Sequence, residues 1–193
     1  MSTQARQGQI LNTALEIIHE RGYRDLTVRN IADRIDISEP AIYRHFDNKE
    51  EIIRNLARMV FEGNHLVLDR EKYENPYELL REILHRQFEK LEENPYITAV
   101  LFQNEIFREY PEVERLFIEH RREKKDYLEE IVKKWQEKGY FSKDVDAEAF
   151  ALLFMGGVRM SALKWRNEEF SYSLTEEADR IADELFKILR GSG

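Results

Sequence analysis

The chain has 193 residues and no cysteine. That absence excludes disulfides and thiolate metal sites, and it suits a reducing compartment. Nowhere does the sequence run to about 18 uninterrupted apolar residues, the length a membrane span requires. The stretch from Met1 to Ile18 lacks the basic-then-apolar pattern and small-residue cleavage site of a secretory signal. A cytoplasmic location without membrane contact is therefore expected. No segment alternates polar and apolar residues as a half-buried strand would, and there is no low-complexity tract or internal repeat. Catalytic signatures are missing too. No nucleophile elbow, phosphate loop, metal triad or paired-carboxylate site can be picked out, and the five histidines are scattered. The expectation is a protein that is not an enzyme and uses no cofactor or metal.

A net charge of −8 argues against nucleic acid until it is divided along the chain. Residues 1–49 carry seven basic and seven acidic groups, so the whole deficit lies in residues 50–193, with 23 basic against 31 acidic. A neutral module binds DNA only if its cations face one way and its anions another. The composition permits that arrangement without demanding it.

What the sequence does contain is helical periodicity from end to end. Ile10, Leu11, Ala14, Leu15, Ile17 and Ile18 make one face of a first helix that stops at Gly22. Thr27 caps a second, bearing Val28, Ile31, Ala32 and Ile35, and Ser38 caps a short third, where Pro40 falls in the tolerant first turn. Asp47 or Asn48 starts a fourth, which runs on as a connecting helix to about Leu68. After a polar linker over residues 69–76, Leu80 to Leu91 stripe a fifth helix ending near Asn94-Pro95. A shorter apolar helix spans Tyr96 to Arg108. Val113 to Trp135 stripe a long one ending at Gly139, Asp146 opens the next, and Thr175 opens the last. The class is all-α, with a division expected between residues 1–63 and 64–193.

Residues 27–46, TVRNIADRIDISEPAIYRHF, carry the function. Two helices joined by a tight turn, with small Ala32 at their crossing, read as a helix-turn-helix. Its second helix would lay Ser38, Glu39 and Ala41 in a major groove, with Tyr43, Arg44 and His45 against the backbone. The helix start at Asn48-Lys49 would present free amides and a cation to a phosphate. Glu39 would repel phosphate, yet it can accept a hydrogen bond from a cytosine amino group.

This segment resembles the TetR family of regulators. The likeness rests on Thr27-Val28 with Ile31-Ala32, Ile37-Ser38, the run Ala41 to Phe46, and Asn48 to Glu51, and it extends upstream through Ile10, Ala14 and Gly22-Tyr23. It covers about the first quarter of the chain closely. Asp36 departs from the pattern, because the family usually has glycine there; Asp tolerates a left-handed turn better than most residues. The resemblance implies phosphate contacts for Thr27, Tyr43, His45 and Lys49, with Arg29 on the same DNA face. Phe46 is read as core.

Beyond the head, aromatics stand on successive helices: Phe88, Phe102, Phe107, Phe117, Tyr127, Trp135, Phe154 and Trp165. Bulky aromatics fill helical cores, and the resemblance implies that Phe88, Phe102, Phe107, Tyr127, Trp135 and Phe154 line an effector cavity suited to a largely apolar small molecule. Glu105 is either exposed or placed to meet a cationic ligand. His65 with Asp69, and His85 with Glu89, each stand one turn apart; as solvated pairs they need no metal. Gly156-Gly157 in mid-helix mark a close approach, either within the chain or between chains. In the family the last two long helices pair with their symmetry mates, which implies a homodimer interface at Ala151, Gly156, Gly157, Ser161, Leu185 and Leu189. The function expected is a repressor released from a palindromic double-stranded operator by a small effector. The alternative is a DNA-bound adaptor without one.

Overall fold

The computed structural model describes residues 2–62, 68–69, 72–101 and 109–190. Among them are nine α-helices and no strand: α1 (Thr3–Arg21), α2 (Val28–Arg34), α3 (Glu39–Ile42), α4 (Lys49–Glu62), α5 (Pro76–Glu93), α6 (Ile97–Leu101), α7 (Pro111–Glu137), α8 (Ala147–Asn167) and α9 (Glu176–Arg190). Packing divides the chain into two units. Met1–Gly63 and Tyr96–Phe117 form the first, Asn64–Pro95 and Ile118–Gly193 the second. The division expected at residue 63 thus omits a piece of the first unit, because α6 packs on α1 and α4.

In the first unit, Ser2 caps α1 by accepting from the Ala5 amide at 3.2 Å. The helix buries Ile10, Thr13, Ala14, Leu15, Ile17 and Ile18. It ends at Gly22, whose φ of 82° glycine adopts without a Cβ clash. A single 3-10 turn, Tyr23–Asp25, leads to Thr27, whose hydroxyl oxygen accepts from the Asn30 amide at 3.0 Å to cap α2. On the outer side Arg34 donates two hydrogen bonds to the Glu20 carboxylate, at 2.9 and 2.7 Å, tying α2 to α1. An exposed pair of this kind contributes little to stability. The fold rests instead on the apolar side chains of α1, α2 and α4, each of which is worth about 1.5–3 kcal/mol when buried.

In the second unit α5, α8 and α9 pack on one another. The α5 face is Leu79, Leu80, Ile83, Leu84, Phe88 and Leu91; α9 presents Ala178, Ala182, Leu185, Phe186 and Leu189. Arg81 donates to both Asp179 and Asp183, and His85 Nε2 lies 3.0 Å from Asp179, so polar bridges run alongside the apolar seam. That contact joins His85 to α9 rather than to Glu89; His65 lies outside the described residues. The α7 helix begins at Pro111, a residue well suited to the first helical position, two residues before the apolar stripe suggests. Its end is a paired turn: Gly139 (φ 79°) donates to Gln136 at 3.1 Å and Tyr140 to Trp135 at 3.0 Å. Asp146 caps α8 as expected, accepting from Ala149 at 2.9 Å. Thr175 precedes α9 as expected, but its hydroxyl and amide both donate to Glu92 on α5.

Candidate nucleic-acid interface

The turn between α2 and α3 is built on Asp36, whose φ of 52° is left-handed. Behind it the Ile37 amide reaches back to the Ala32 carbonyl at 3.0 Å, a six-to-one bond that closes the helix end. Ala32 itself is 1% exposed, and its small methyl lets α2 and α3 pack closely. The α3 helix is only one turn long. It continues as tighter turns, with the Phe46 and His45 amides both donating to the Ile42 carbonyl. Ile42 and Phe46 point inward, fully buried, and fix the rotation of the segment. Ser38, Glu39, Tyr43 and Arg44 consequently face outward, and Ala41 and His45 are half-buried beside them.

The outward groups are little used by the protein. Ser38 sits at the cap position, but its hydroxyl makes no capping bond, contrary to the expected cap; the Ser38 carbonyl alone starts the helix, accepting from Ala41 at 2.8 Å. Arg44 makes no hydrogen bond or ion pair among the described residues. Arg29 meets Asp33 at 3.7 Å with both side chains largely in water, a contact that phosphate can displace. Thr27 keeps its hydroxyl hydrogen after accepting from Asn30. Lys49, the first residue of α4, holds its ammonium 4.7 Å from the centre of the Tyr23 ring. Burial raises the Tyr23 phenol pKa, as do its contacts with Tyr110 and Glu109, so the ring stays neutral. Asn48 caps α4 by accepting from Glu51, whose carboxylate returns a contact to the Asp47 amide at 2.5 Å.

Sequence reasoning missed the contribution of α1. A recess of about 260 Å³ is lined by Thr3, Arg6, Ile37, Ala41, Arg44 and His45, so the first turn of α1 flanks the reading segment. Gln7 also donates to the His45 carbonyl at 3.2 Å. The overlooked signal was the cation Arg6 one turn before the apolar face of α1, on a chain that has few cations in its head.

The expected effector residues fall in the second unit's core. Phe88 is 0% exposed, and Tyr127, Trp135 and Phe154 are nearly so, while Phe102, Phe107 and Glu105 lie outside the described residues. Tyr127 donates its hydroxyl to the Leu68 carbonyl at 3.0 Å. Trp135 meets Tyr140 edge-on and Phe154 tilts against Phe150. The Trp135 indole N–H is buried without an acceptor among the described residues.

Three of the six expected dimer residues require correction. Ala151, Leu185 and Leu189 are buried within the protomer, at 0%, 8% and 0% exposure, on helices α8 and α9, which pack on each other and on α5. On α8 and α9 the large apolar groups left outside are Leu152, Leu153, Met160 and Ile188. Gly156 falls between Leu152 and Met160 on one helical face, and a Cβ added there would meet nothing within 4 Å. At Gly157 the Ile181 side chain would lie at an ordinary 3.8 Å, so the α8–α9 packing does not itself demand glycine there. Ser161 is half-buried.

Residues 10–56 match the family model for bacterial regulatory proteins of the tetR family. The HTH-type transcriptional repressor KstR2 of Mycobacterium tuberculosis is 30% identical over 149 residues, 75% of this chain and 73% of the relative. The chain belongs to the TetR family. As a TetR-family member it is a DNA-binding transcriptional regulator, and its relatives are regulators rather than enzymes. The nucleoid occlusion factor SlmA of Vibrio atlanticus is 27% identical over 185 residues, 90% of each chain. The regulator FadR from Bacillus subtilis, solved in complex with stearoyl-CoA, superposes with a TM-score of 0.74 at 20% identity, covering 96% of this chain and 99% of that one. That overlay establishes the all-helical TetR fold. Among the described residues, no helix is long and apolar enough to cross a membrane.

Proposed function

We propose that this TetR-family chain is a repressor that binds a palindromic operator as a homodimer and releases it when a small effector enters the second unit. The observation that carries the reading is the outward row Ser38, Glu39, Tyr43 and Arg44, exposed and largely unengaged on a turn rigidly backed by Ile42 and Phe46. Thr27, Arg29, His45 and Lys49 surround it with groups suited to phosphate, while base edges would be read from Ser38, Glu39 and Ala41. A two-fold dimer would set two such rows in successive major grooves, about 34–36 Å apart. Exposed Leu152, Leu153, Met160 and Ile188, with Gly156 between them, supply the apolar face for that pairing. The repressor name of KstR2 supports the sign of regulation, and a solved neighbour holding stearoyl-CoA supports an effector with much apolar surface.

A second reading keeps the DNA-binding dimer and drops the effector. It is favoured by the likeness to a nucleoid occlusion factor along nine-tenths of both chains. One experiment separates the two. Operator fragments are selected from genomic DNA with the purified protein, and their affinity is measured with and without a library of apolar and amphiphilic compounds. Release by any compound, typically 5- to 150-fold for coupled sites, supports the repressor reading; a protein that binds its selected site and ignores every compound supports the second.

A further inference from the structure

The second unit holds two cations, Lys90 and Lys124, that form no ion pair among the described residues. Lys124 on α7 donates to the Gln87 side-chain carbonyl on α5 at 3.3 Å. Lys90 stands three residues beyond Gln87, on the same face of α5. Neither lysine has an ion pair among the described residues, although ion pairs are plentiful nearby: Lys125 alone meets Asp126, Glu129 and Glu148. The surroundings are apolar, with Phe88 and Leu91 buried on α5 and Tyr127 and Leu128 buried on α7. Lys124 is half-buried by accessible area, yet burial and then the charge of Lys90 bring its pKa down to about 7. Burial likewise lowers the pKa of Lys90, with Glu93 on its own helix opposing.

A lysine whose only task is to cover apolar surface extends its stem and leaves its charge in water. Lys124 does the reverse, directing its charge to an amide oxygen inside the unit. Two like charges held together and partly withdrawn from water are costly unless an anion joins them. We propose that Gln87, Lys90 and Lys124 form a binding site for the anionic group, carboxylate or phosphate, of an amphiphilic ligand whose apolar part rests on the neighbouring core. The proposal deepens the effector reading by naming the ligand's polar chemistry and rests on it. The site runs against any cationic ligand, which Lys90 and Lys124 would repel.

The test uses the full chain and four probes with one apolar tail: dodecanoate, dodecyl phosphate, dodecanol and dodecylamine, all below micelle formation. Calorimetric titration should show at least one anion binding about tenfold or more tighter than the alcohol, with the amine weakest. Comparison of dodecanoate with dodecyl phosphate assigns the headgroup. Lys124→Met and Lys90→Met should each erase the preference for the anion and leave the alcohol's affinity within about threefold. Lys124→Met should also raise the melting temperature of the ligand-free protein, since it removes a desolvated charge. A fall in melting temperature would mark Lys124 as structural and overturn the proposal. So would equal affinity for alcohol and anions, survival of the preference in both variants, or no binding by any probe. Operator affinity is read separately. An anion that binds through these lysines without loosening the operator leaves the site standing and removes the effector reading. A probe that releases the operator with no anion preference does the opposite.

Discussion

The two units place their cations in opposite circumstances. In the first, Arg29 and Arg44 stand in water, and Lys49 lies at the start of α4 against Tyr23. In the second, Lys90 and Lys124 are withdrawn among apolar side chains and lose part of their affinity for protons. A hydrated cation can exchange one set of counterions for a row of phosphates, weakly selective in each contact and sensitive to salt. A desolvated cation waits for a particular anion at a particular point, and salt reaches it poorly. On the proposed reading, one chain with a net charge of −8 approaches a polyanion with one unit and selects a small anion with the other.

The largest effect expected is on the exposed side of this contrast. If about four phosphates are neutralised per complex, operator affinity should fall about a hundredfold between 50 and 200 mM salt. Lys49→Ala or Arg44→Ala should each weaken specific and random DNA alike and lower the salt slope by about one. Filter binding at several salt concentrations measures both. A flat salt response would erase the contrast, since it would leave the exposed cations no closer to phosphate than the buried pair.

The next effect concerns assembly. Leu153→Asp or Met160→Asp places a charge on the exposed apolar face of α8, and a dimer held there should dissociate, with operator affinity falling alongside. Sedimentation should report monomers that remain helical by far-ultraviolet dichroism. Dimers persisting in both variants would move the interface elsewhere. Leu185→Asp should instead unfold the second unit, because Leu185 is 8% exposed within a single protomer.

These assignments also mark what was legible in the sequence. Helix order, the caps at Thr27 and Asp146, and the inward faces of α1 and α2 follow from period and cap chemistry, which are local properties. The direction of α8 does not. Phe150, Ala151 and Phe154 lie inside while Leu152, Leu153 and Met160 lie outside, so the helix is apolar nearly all round and its period does not say which side meets the protomer. The reading of Leu185 and Leu189 as a dimer face failed for a related reason: α9 has a single strong stripe, and one stripe goes first to the chain's own core. Lys124 was invisible because it stands in RREKKDYLEE, where a run of charges reads as a solvated face. Its hydrogen-bond partner Gln87 stands on α5, more than thirty residues away.

A smaller effect tests a half-buried carboxylate of the second unit, Glu92. Burial alone would raise the pKa of Glu92, but hydrogen bonds from the Thr175 hydroxyl and amide, the Ser173 hydroxyl and the Leu174 amide outweigh it, and the net direction is downward. A carboxyl lowered on folding stabilises the protein above its unfolded pKa, and that contribution disappears as pH falls through the folded value. Glu92→Gln should therefore cost about 1–2 kcal/mol at neutral pH, with the gap to the wild type closing below about pH 4. Urea melts across that range measure it. A gap that stays constant with pH would assign the loss to packing at the start of α9.

The smallest effect separates two left-handed residues, one in each unit. Asp36 (φ 52°) turns the chain between α2 and α3, and Glu169 (φ 55°) follows α8. A Cβ in this region costs about 1–2 kcal/mol, and aspartate, whose short side chain bonds locally, escapes part of that cost. Glycine removes the clash but adds freedom to the unfolded chain, which takes back about 0.5–1 kcal/mol. For Asp36→Gly the two terms nearly cancel, and a change within about 0.5 kcal/mol is expected. Glutamate has no such local compensation, and the exposed Glu169 side chain makes no hydrogen bond among the described residues. Glu169→Gly should therefore stabilise by about 0.5–1 kcal/mol. Neither substitution should alter operator affinity, since the Ile37 to Ala32 bond that sets the angle of α3 uses backbone atoms alone. Thermal melts of the two variants decide the order. If Asp36→Gly proved the more stabilising, the turn of the helix-turn-helix would be the strained one, and its departure from glycine would need a reason in DNA contact rather than in tolerance of the fold.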